Sequence, residues 1–229
     1  MLGTIINAAA IILGGALGLL FGNAMPEKMN KTIIQGLGLA ILLVGADMAL
    51  KTNNSLVVIC SLVIGGVIGE CIDIEKKLKN LGTWMENKFA SGEDGRFTRA
   101  FVSASLIYCI GAMAITGSIE SGIKGNHSIL MVKSLLDGTT AIVFAASMGI
   151  GVLASAIPVF LYQGAITLAA GLLKDILSQA IITEMSATGG LLIIGIGLNI
   201  LEIKEIKVGN LLPGIFVAIP LTIFFAALV

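Results

Sequence analysis

Five polar residues interrupt long apolar stretches in the middle of this sequence. Lys133 and Asp137 are four positions apart, so on a helix they share one face and can form an ion pair. The other members of the set are Glu120, Ser134 and Gln163. Ionisable side chains inside apolar spans are costly and commonly mark the path of an ion or solute. These residues therefore predict a binding site for a small polar or ionic solute.

Three further polar residues within apolar stretches, Asn7, Asp47 and Asn199, complete the candidate binding set. Asp47 also allows a simpler interpretation, because Lys51 follows four residues later and the two side chains can form an ordinary ion pair at the end of a span. Gln163 lies in a charge-free stretch and is equally typical of a hydrogen bond that joins two helices. Both alternatives stay open at the level of the sequence.

The composition is that of a membrane protein. Of the 229 residues, 56% are hydrophobic and 12% are charged, and the mean hydropathy is +1.01. Soluble domains carry about 25% charged residues. Fourteen basic residues offset fourteen acidic ones, so the charge balance argues against a nucleic-acid partner. Membrane lipid and a small solute or ion are the partners that the composition favours.

The sequence contains no recognisable catalytic, metal-binding or cofactor-binding motif. HExxH, GxSxG and phosphate-binding loops are missing. The single His127 cannot supply the spacing of a zinc site, and Cys60, Cys71 and Cys109 form no CxxC pair. Gly45-Ala46-Asp47 is weakly similar to the motif of intramembrane aspartyl proteases, but a second aspartate motif is missing. We therefore expect a protein that is not an enzyme and that uses no metal or cofactor.

Eight segments approach or exceed the length that a membrane-spanning helix needs. Pro158 divides a long uncharged run into two of them, since proline suits the first turn of a new helix. The first segment lacks a basic leader and is interpreted as a retained span. The predicted fold is an all-α membrane protein with one transmembrane domain over residues 1–229, and its spans cover 3–22, 32–50, 55–69, 100–119, 128–155, 158–173, 185–201 and 208–229.

The distribution of basic residues predicts an orientation. With eight spans, the loops that follow odd-numbered spans hold ten Lys and Arg residues, and the opposite side holds three. Basic loops face the cytoplasm. The segment from Glu70 to Arg99 is therefore expected to be cytoplasmic, with both termini outside.

This cytoplasmic segment also has an amphipathic part, residues 75–95. Its apolar residues recur at helical spacing beside Trp84 and several lysines, and they are Leu78, Leu81, Met85 and Phe89. Such a pattern is typical of a helix that lies in the membrane interface. A solvated linker is the alternative, because residues 92–95 read as a turn.

The apolar pattern contains a weak internal repeat. A shift of 152 positions aligns Gly38, Leu39, Ile41, Gly45 and Asp47 with Gly190, Leu191, Ile193, Gly197 and Asn199. A shift of 156 aligns Asn7, Ala9 and Gly15 with Gln163, Ala165 and Gly171. Spans one to three would then correspond to spans six to eight with opposite direction. This predicts an inverted repeat of three helices flanking a central helix pair, an arrangement known in secondary transporters; chance agreement is the alternative.

Small residues at every fourth position form two close-packing faces. The first series is Gly14, Gly18 and Gly22, and the second is Ser61, Gly65 and Gly69. Such faces let helix backbones approach closely. Packing within the chain and a homo-oligomer interface are the two interpretations.

Four motifs carry a resemblance to a known family. They are GTIINA at 3–8, GAMAITGSIESG at 111–122, KSLLDG at 133–138 and YQG at 162–164. In these motifs the chain resembles the YqgA/YdfK family of uncharacterised prokaryotic integral membrane proteins. The resemblance implies a protein of the bacterial or archaeal plasma membrane, which is the inner membrane in cells that have two membranes. Members of the family are loosely described as transporters. It supplies no substrate and no catalytic residue.

The favoured function is a secondary transporter for a small polar or ionic solute. Its site would lie near Lys133, Asp137 and Gln163, with helix breaks at Gly117 and Gly138 exposing backbone groups. An oligomeric channel or pore is the first alternative, and it predicts a flux that does not saturate. A membrane scaffold without transport activity is the second, and it predicts indifference to loss of the central charges.

Overall fold

Helices form the regular structure of the chain. The computed structural model describes residues 1–22, 26–89, 95–173 and 176–227, and no strand occurs within these ranges. The helices in the described part are α1 (Leu2–Gly22), α2 (Glu27–Ala49), α3 (Ser55–Ile72), α4 (Ile74–Phe89), α5 (Arg96–Cys109), α6 (Ala112–Lys124), α7 (Ser128–Met148), α8 (Gly151–Ala154), α9 (Ala156–Leu173), α10 (Gln179–Ile200), α11 (Val208–Leu211) and α12 (Pro213–Ala226).

These helices are long and apolar enough to cross a membrane several times. Seven spans meet that criterion in the described ranges, and the count becomes eight if the bent pair α5 and α6 is one span. The seven are Leu2–Gly22, Lys31–Ala49, Ser55–Ile72, Ser128–Met148, Gly151–Leu173, Gln179–Ile200 and Val208–Ala226. The predicted all-α membrane fold with about eight spans is confirmed. The predicted residues 228 and 229 of the last span lie outside the described residues.

Two of the predicted helix breaks are wrong. Helix α6 continues through Gly117, and helix α7 continues through Gly138. The chain instead bends by 60° between α5 and α6. Gly111 lies at this bend with φ 149°, a conformation that residues with a side chain rarely adopt. Gly138 serves close helix packing, which requires a small residue but no break.

The break between the fifth and sixth spans comes earlier than predicted. Helix α7 ends at Met148, and Gly149 follows with φ 92°. The next span begins at Gly151 with the short helix α8 and continues into α9. Pro158 lies in the first turn of α9, as expected. Glycine with a positive φ terminates a helix more sharply than the proline that begins the following one.

The chain divides into two compact units. The first contains Met1–Gln35, Lys79–Cys109 and Met113–Lys174, and the second contains Gly36–Leu78, Ile110–Ala112 and Asp175–Val229. Helices α1, α5, α7, α8 and α9 thus belong to the first unit, and helices α3, α10, α11 and α12 belong to the second. The expectation of a single transmembrane domain stays a prediction.

Helices α1 and α7 form the tightest pair of the first unit. A Cβ atom at Gly14, Gly18 or Gly22 would overlap the backbone of α7, and the carbonyls it would meet are those of Gly138, Ile142 and Ala146. Both series advance by four residues in the same direction, so the two helices are parallel. This glycine series packs within the chain.

The second small-residue series packs within the second unit. A Cβ atom at Gly65 would overlap the backbone of Gly214, and one at Gly69 would overlap the carbonyl of Asn210. Helices α3, α11 and α12 therefore approach at backbone distance. Self-association of the protein stays untested, but an interface through either glycine series would first have to displace these intrachain contacts.

Helix α4 is the described part of the predicted amphipathic segment, whose residues 90–94 lie outside the described residues. Met85 is buried and packs with Phe97 and Phe101 at the start of α5. Glu86 is also buried and accepts hydrogen bonds from the Gly95 backbone N–H at 2.8 Å and the Thr98 hydroxyl at 2.5 Å. These contacts pack the later part of α4, which belongs to the first unit, against the start of α5.

Candidate functional site

An ion pair lies inside the first unit. The Lys133 ammonium donates a hydrogen bond to Asp137 Oδ2 at 2.6 Å, and each side chain is only 9% exposed. The four-residue spacing on α7 puts both side chains on the same face of the helix. The pairing expected from the sequence is confirmed. Because the surrounding span is apolar, each charge depends on the other for compensation.

Asn7 of α1 is the third member of this group. Its Nδ2 donates to Asp137 Oδ2 at 3.0 Å, so one carboxylate oxygen accepts from both Asn7 and Lys133. Asn7 is fully buried, and its Oδ1 has no hydrogen-bond partner among the described residues. The backbone approach at Gly14 brings α1 near enough to α7 for a short amide side chain to reach the carboxylate.

Gln163 of α9 is a second buried amide with unmade hydrogen bonds. Its side chain is fully buried, and neither Nε2 nor Oε1 has a hydrogen-bond partner within the described ranges. Buried amides almost always have partners, since an unmade hydrogen bond costs about 1–3 kcal/mol. Gln163 is therefore a buried amide whose hydrogen-bond partners are not supplied by the described residues.

Contacts between α1 and α9 place Gln163 at the level of Asn7. The hydroxyls of Thr4 and Thr167 lie 3.5 Å apart, and Thr167 also donates to the Gln163 carbonyl oxygen at 2.7 Å. Farther along α1, Gly15 packs against Leu153, which precedes α9. The two helices are therefore antiparallel. Asn7 lies three residues after Thr4, and Gln163 lies four residues before Thr167, so both amides occupy nearly the same height.

The resulting arrangement is a hydrogen-bonded group of Asn7, Lys133 and Asp137 on α1 and α7, with Gln163 at the same height on α9. It holds one ammonium and one carboxylate, with uncompensated amide acceptors on Asn7 and Gln163 and an uncompensated amide donor on Gln163. Such a set complements a small molecule or ion that offers polar groups of either kind. Among the described residues no group of three or more His, Cys, Asp or Glu side chains could hold a metal ion.

Ser134 and Glu120 make other contacts. The Ser134 hydroxyl is buried and donates to the Leu130 carbonyl oxygen at 2.6 Å, one turn earlier in α7. Glu120 accepts from Lys124 at 3.4 Å and from Asn126 at 3.0 Å near the end of α6. The structure therefore gives Ser134 a satisfied backbone bond and Glu120 a role at a helix end.

Asp47 and Asn199 belong to the second unit, where each has a local partner. Asp47 accepts from Lys51 at 2.5 Å, and both side chains are more than 60% exposed, as the simpler interpretation expects. Asn199 donates to the Ile206 carbonyl oxygen at 2.8 Å and accepts from the Ile206 N–H at 2.7 Å. Asn199 thus closes the turn after α10.

Sequence reasoning missed a buried carboxylate within a membrane span, that of Glu184 in α10. It is 2% exposed and accepts from the Thr52 hydroxyl at 2.5 Å and from the Asn53 and Asn54 N–H groups at 2.7 and 3.3 Å. The predicted seventh span began after this charge, whereas α10 begins at Gln179. Ser178, which caps α10, was the sequence signal for the earlier start.

Comparison with known proteins finds a family and relatives that match almost the whole chain. Residues 2–223 match the profile of the family described as "Protein of unknown function (DUF554)". The chain is 32% identical over 228 residues to the uncharacterized membrane protein YdfK of Bacillus subtilis (strain 168), covering 98% of this chain and 96% of YdfK. It is 32% identical over 231 residues to the uncharacterized protein YqgA of Escherichia coli (strain K12), covering 99% and 98%.

No solved structure matches the chain. The resemblance that the sequence motifs carry is confirmed by the family profile and by both relatives. Together with the apolar helices, they identify a multi-pass membrane protein. The chain belongs to the DUF554 family.

Proposed function

We propose that this protein is a secondary transporter of the plasma membrane and that its solute site is the group formed by Asn7, Lys133, Asp137 and Gln163. The observation that carries the proposal is a buried ion pair beside amides with unmade hydrogen bonds. An ion pair in an apolar core is often no more stable than apolar residues of the same size. A binding role accounts for all four residues, whereas a packing role leaves Gln163 unexplained.

The pair supplies a simple means of coupling. A cation or proton that binds Asp137 takes the place of Lys133 as its counter-charge. The ammonium is then released from the carboxylate and can hold an anionic or carbonyl group of a solute, while Asn7 and Gln163 orient it by hydrogen bonds. Because the site is buried, solute entry requires the surrounding helices to separate on one side of the membrane at a time.

Helix registers in the first unit support an inverted repeat. Asn7 and Gln163 are equivalent under the 156-residue shift, and they lie at the same height on the antiparallel helices α1 and α9. A twofold axis in the membrane plane would bring equivalent residues face to face at the point where their helices cross. The candidate site would then lie on that axis, where inverted-repeat transporters bind their solutes.

The second unit supports the same relation independently. A Cβ atom at Gly45 would lie 2.7 Å from the Gly190 carbonyl oxygen, and one at Gly190 would lie 2.7 Å from that of Gly45. A Cβ atom at Gly197 would lie 3.2 Å from the Gly38 carbonyl oxygen. The 152-residue shift pairs Gly38 with Gly190 and Gly45 with Gly197. It therefore converts the contact between Gly45 and Gly190 into the contact between Gly197 and Gly38. Any shift that superposes two antiparallel helices exchanges their contacts in this way, so what supports the repeat is that all four contact positions are glycine.

The proposal is tested in liposomes that contain the purified protein. A thermal-shift screen of alkali cations, carboxylates, amino acids and polyols identifies solutes that stabilise the wild type but not a Lys133→Met, Asp137→Leu double variant. Uptake of a radiolabelled hit is then measured with imposed proton, sodium and potassium gradients. We expect gradient-driven, saturable uptake that Asp137→Asn abolishes and Ser134→Ala preserves. Non-saturating flux would favour a channel, and equal stabilisation of wild type and double variant by every solute would contradict the site.

A further inference from the structure

Helix α4 has an outward stripe that the transport site does not use. Residues at spacings of four, three and four, namely Lys77, Leu81, Trp84 and Lys88, fall on one side of the helix. Leu81 is 47% exposed and Trp84 is 56% exposed. The Lys88 ammonium lies 5.2 Å from the centre of the Trp84 ring, and Lys77 is exposed at the other end of the stripe. The stripe therefore combines an apolar centre with a positive charge at each end.

The position of α4 in the chain puts this stripe at the edge of the membrane. The preceding span α3 ends at Ile72, and Asp73 turns the chain with φ 54° before α4 begins at Ile74. The side of α4 that carries Met85 and Glu86 packs on the first turns of α5, where Met85 meets Phe97 and Phe101. Because the turn at Asp73 directly follows a membrane-spanning helix, α4 begins where α3 leaves the hydrocarbon region.

We infer that α4 is a binding surface for anionic phospholipid. Trp84 and Leu81 would enter the level of the headgroups, where tryptophan is enriched, and Lys77 and Lys88 would hold the phosphates. Charge selects this partner, since the exposed basic side chains of α4 outnumber its acidic ones and Glu86 is turned inward to Thr98 and Gly95. Lysine side chains extend along apolar surface while their ammonium groups reach the phosphate layer.

The chain offers a built-in probe, because Trp84 is its only tryptophan. Full-length protein is reconstituted into phosphatidylcholine vesicles doped with either brominated phosphatidylglycerol or brominated phosphatidylcholine, and quenching of Trp84 emission is compared. We expect stronger quenching by the brominated phosphatidylglycerol and loss of that preference at high salt. Lys77→Gln with Lys88→Gln should abolish the preference. A matched variant, Lys51→Gln with Lys124→Gln, changes the charge equally at exposed positions near helix ends and should retain the preference.

Two results would overturn the inference. Trp84 emission that neither brominated lipid quenches would place the stripe in water or against protein. Equal quenching by the two lipids, unchanged in the Lys77 and Lys88 variant, would show apolar contact without selection for anionic headgroups. Circular dichroism and gel filtration of each variant establish that the helix and the protein remain folded, so that loss of preference reports the charges.

Discussion

Asn7 and Asp137 are joined by a 3.0 Å hydrogen bond across 130 positions of the chain. The bond connects α1 to α7, the two helices whose backbones approach most closely through glycine in the first unit. Asp137 therefore has two buried donors, one from its own helix and one from a distant helix. Because Asn7 and Lys133 bond to the same carboxylate oxygen, any event that removes the charge of Asp137 or its lysine partner acts on the packing of α1 against α7.

Removing one charge of the pair should destabilise the protein more than removing both. Asp137→Asn leaves the Lys133 ammonium buried without a counter-charge, and the expected loss is about 3–5 kcal/mol in the free energy of unfolding. The double change Lys133→Met with Asp137→Leu removes both charges and should recover most of that loss. The melting temperature in detergent measures both effects. Additive losses from the two single changes would contradict a buried, coupled pair.

The sequence was sufficient to predict this pair, and the reason is local. Four-residue spacing on a helix is enough to bring Lys133 and Asp137 together, and the apolar surroundings mark them as buried. The participation of Asn7 could not be derived in the same way, because it depends on which helices pack and in which register. Glycines at 14, 18 and 22 indicated a close approach, but the identity of the partner helix is a tertiary property.

Gln163→Met should stabilise the protein and abolish transport. The substitution keeps the volume of the side chain and removes two buried polar atoms that lack partners in the described structure. We expect a gain of about 1–3 kcal/mol in the free energy of unfolding, seen as a higher melting temperature. Ser134→Ala is the matched control, because its hydroxyl is already bonded to its own helix and its loss should change stability little. A clear loss of stability in Gln163→Met would assign Gln163 a packing role instead.

Glycine substitutions should distinguish a glycine that the α1–α7 contact requires from one that only lowers helix propensity. A side chain at Gly14 would overlap the Gly138 carbonyl, so Gly14→Val should cost about 1–3 kcal/mol or prevent folding. A Cβ atom at Gly171 meets nothing within 4 Å, and Gly171→Ala should therefore gain about 0.5–1 kcal/mol from reduced backbone freedom. Melting temperatures and expression of folded protein measure both. Equal tolerance at the two positions would rule out the close packing of α1 on α7.

The orientation predicted from the basic residues can be tested with single cysteines in a background in which the three native cysteines are replaced. A cysteine at Asn80, exposed on α4, should be protected from an impermeant maleimide added to intact cells, and it should react after permeabilisation. A cysteine at Gly125, exposed after α6, should react in intact cells. The physical basis is the ten-to-three excess of Lys and Arg on one side. The reverse labelling pattern would invert the topology.

Boundaries of the spans were predicted less well than their number, and the errors have identifiable causes. The predicted start of the seventh span was set after Glu184 because that residue is charged, although a buried carboxylate with three donors can lie within a helix. The break between the fifth and sixth spans was predicted next to Pro158, although Gly149, whose φ is 92°, ends α7. Hydropathy detects the need for a span, but caps and backbone conformation determine where each helix ends.

Glu184 should hold the loop between α2 and α3 in one ordered conformation. Its carboxylate accepts from Thr52, Asn53 and Asn54, so Glu184→Gln replaces charge-assisted bonds with weaker ones and turns an amide toward a donor. We expect a loss of about 1–3 kcal/mol in stability. Amide hydrogen exchange at Asn53 and Asn54 should accelerate, while exchange in the core of α10 should change less. Thr183→Ala is the neighbouring control, since Thr183 is exposed and bonds only to Gln179 of its own helix. Unchanged exchange at Asn53 and Asn54 in Glu184→Gln would contradict the anchoring role.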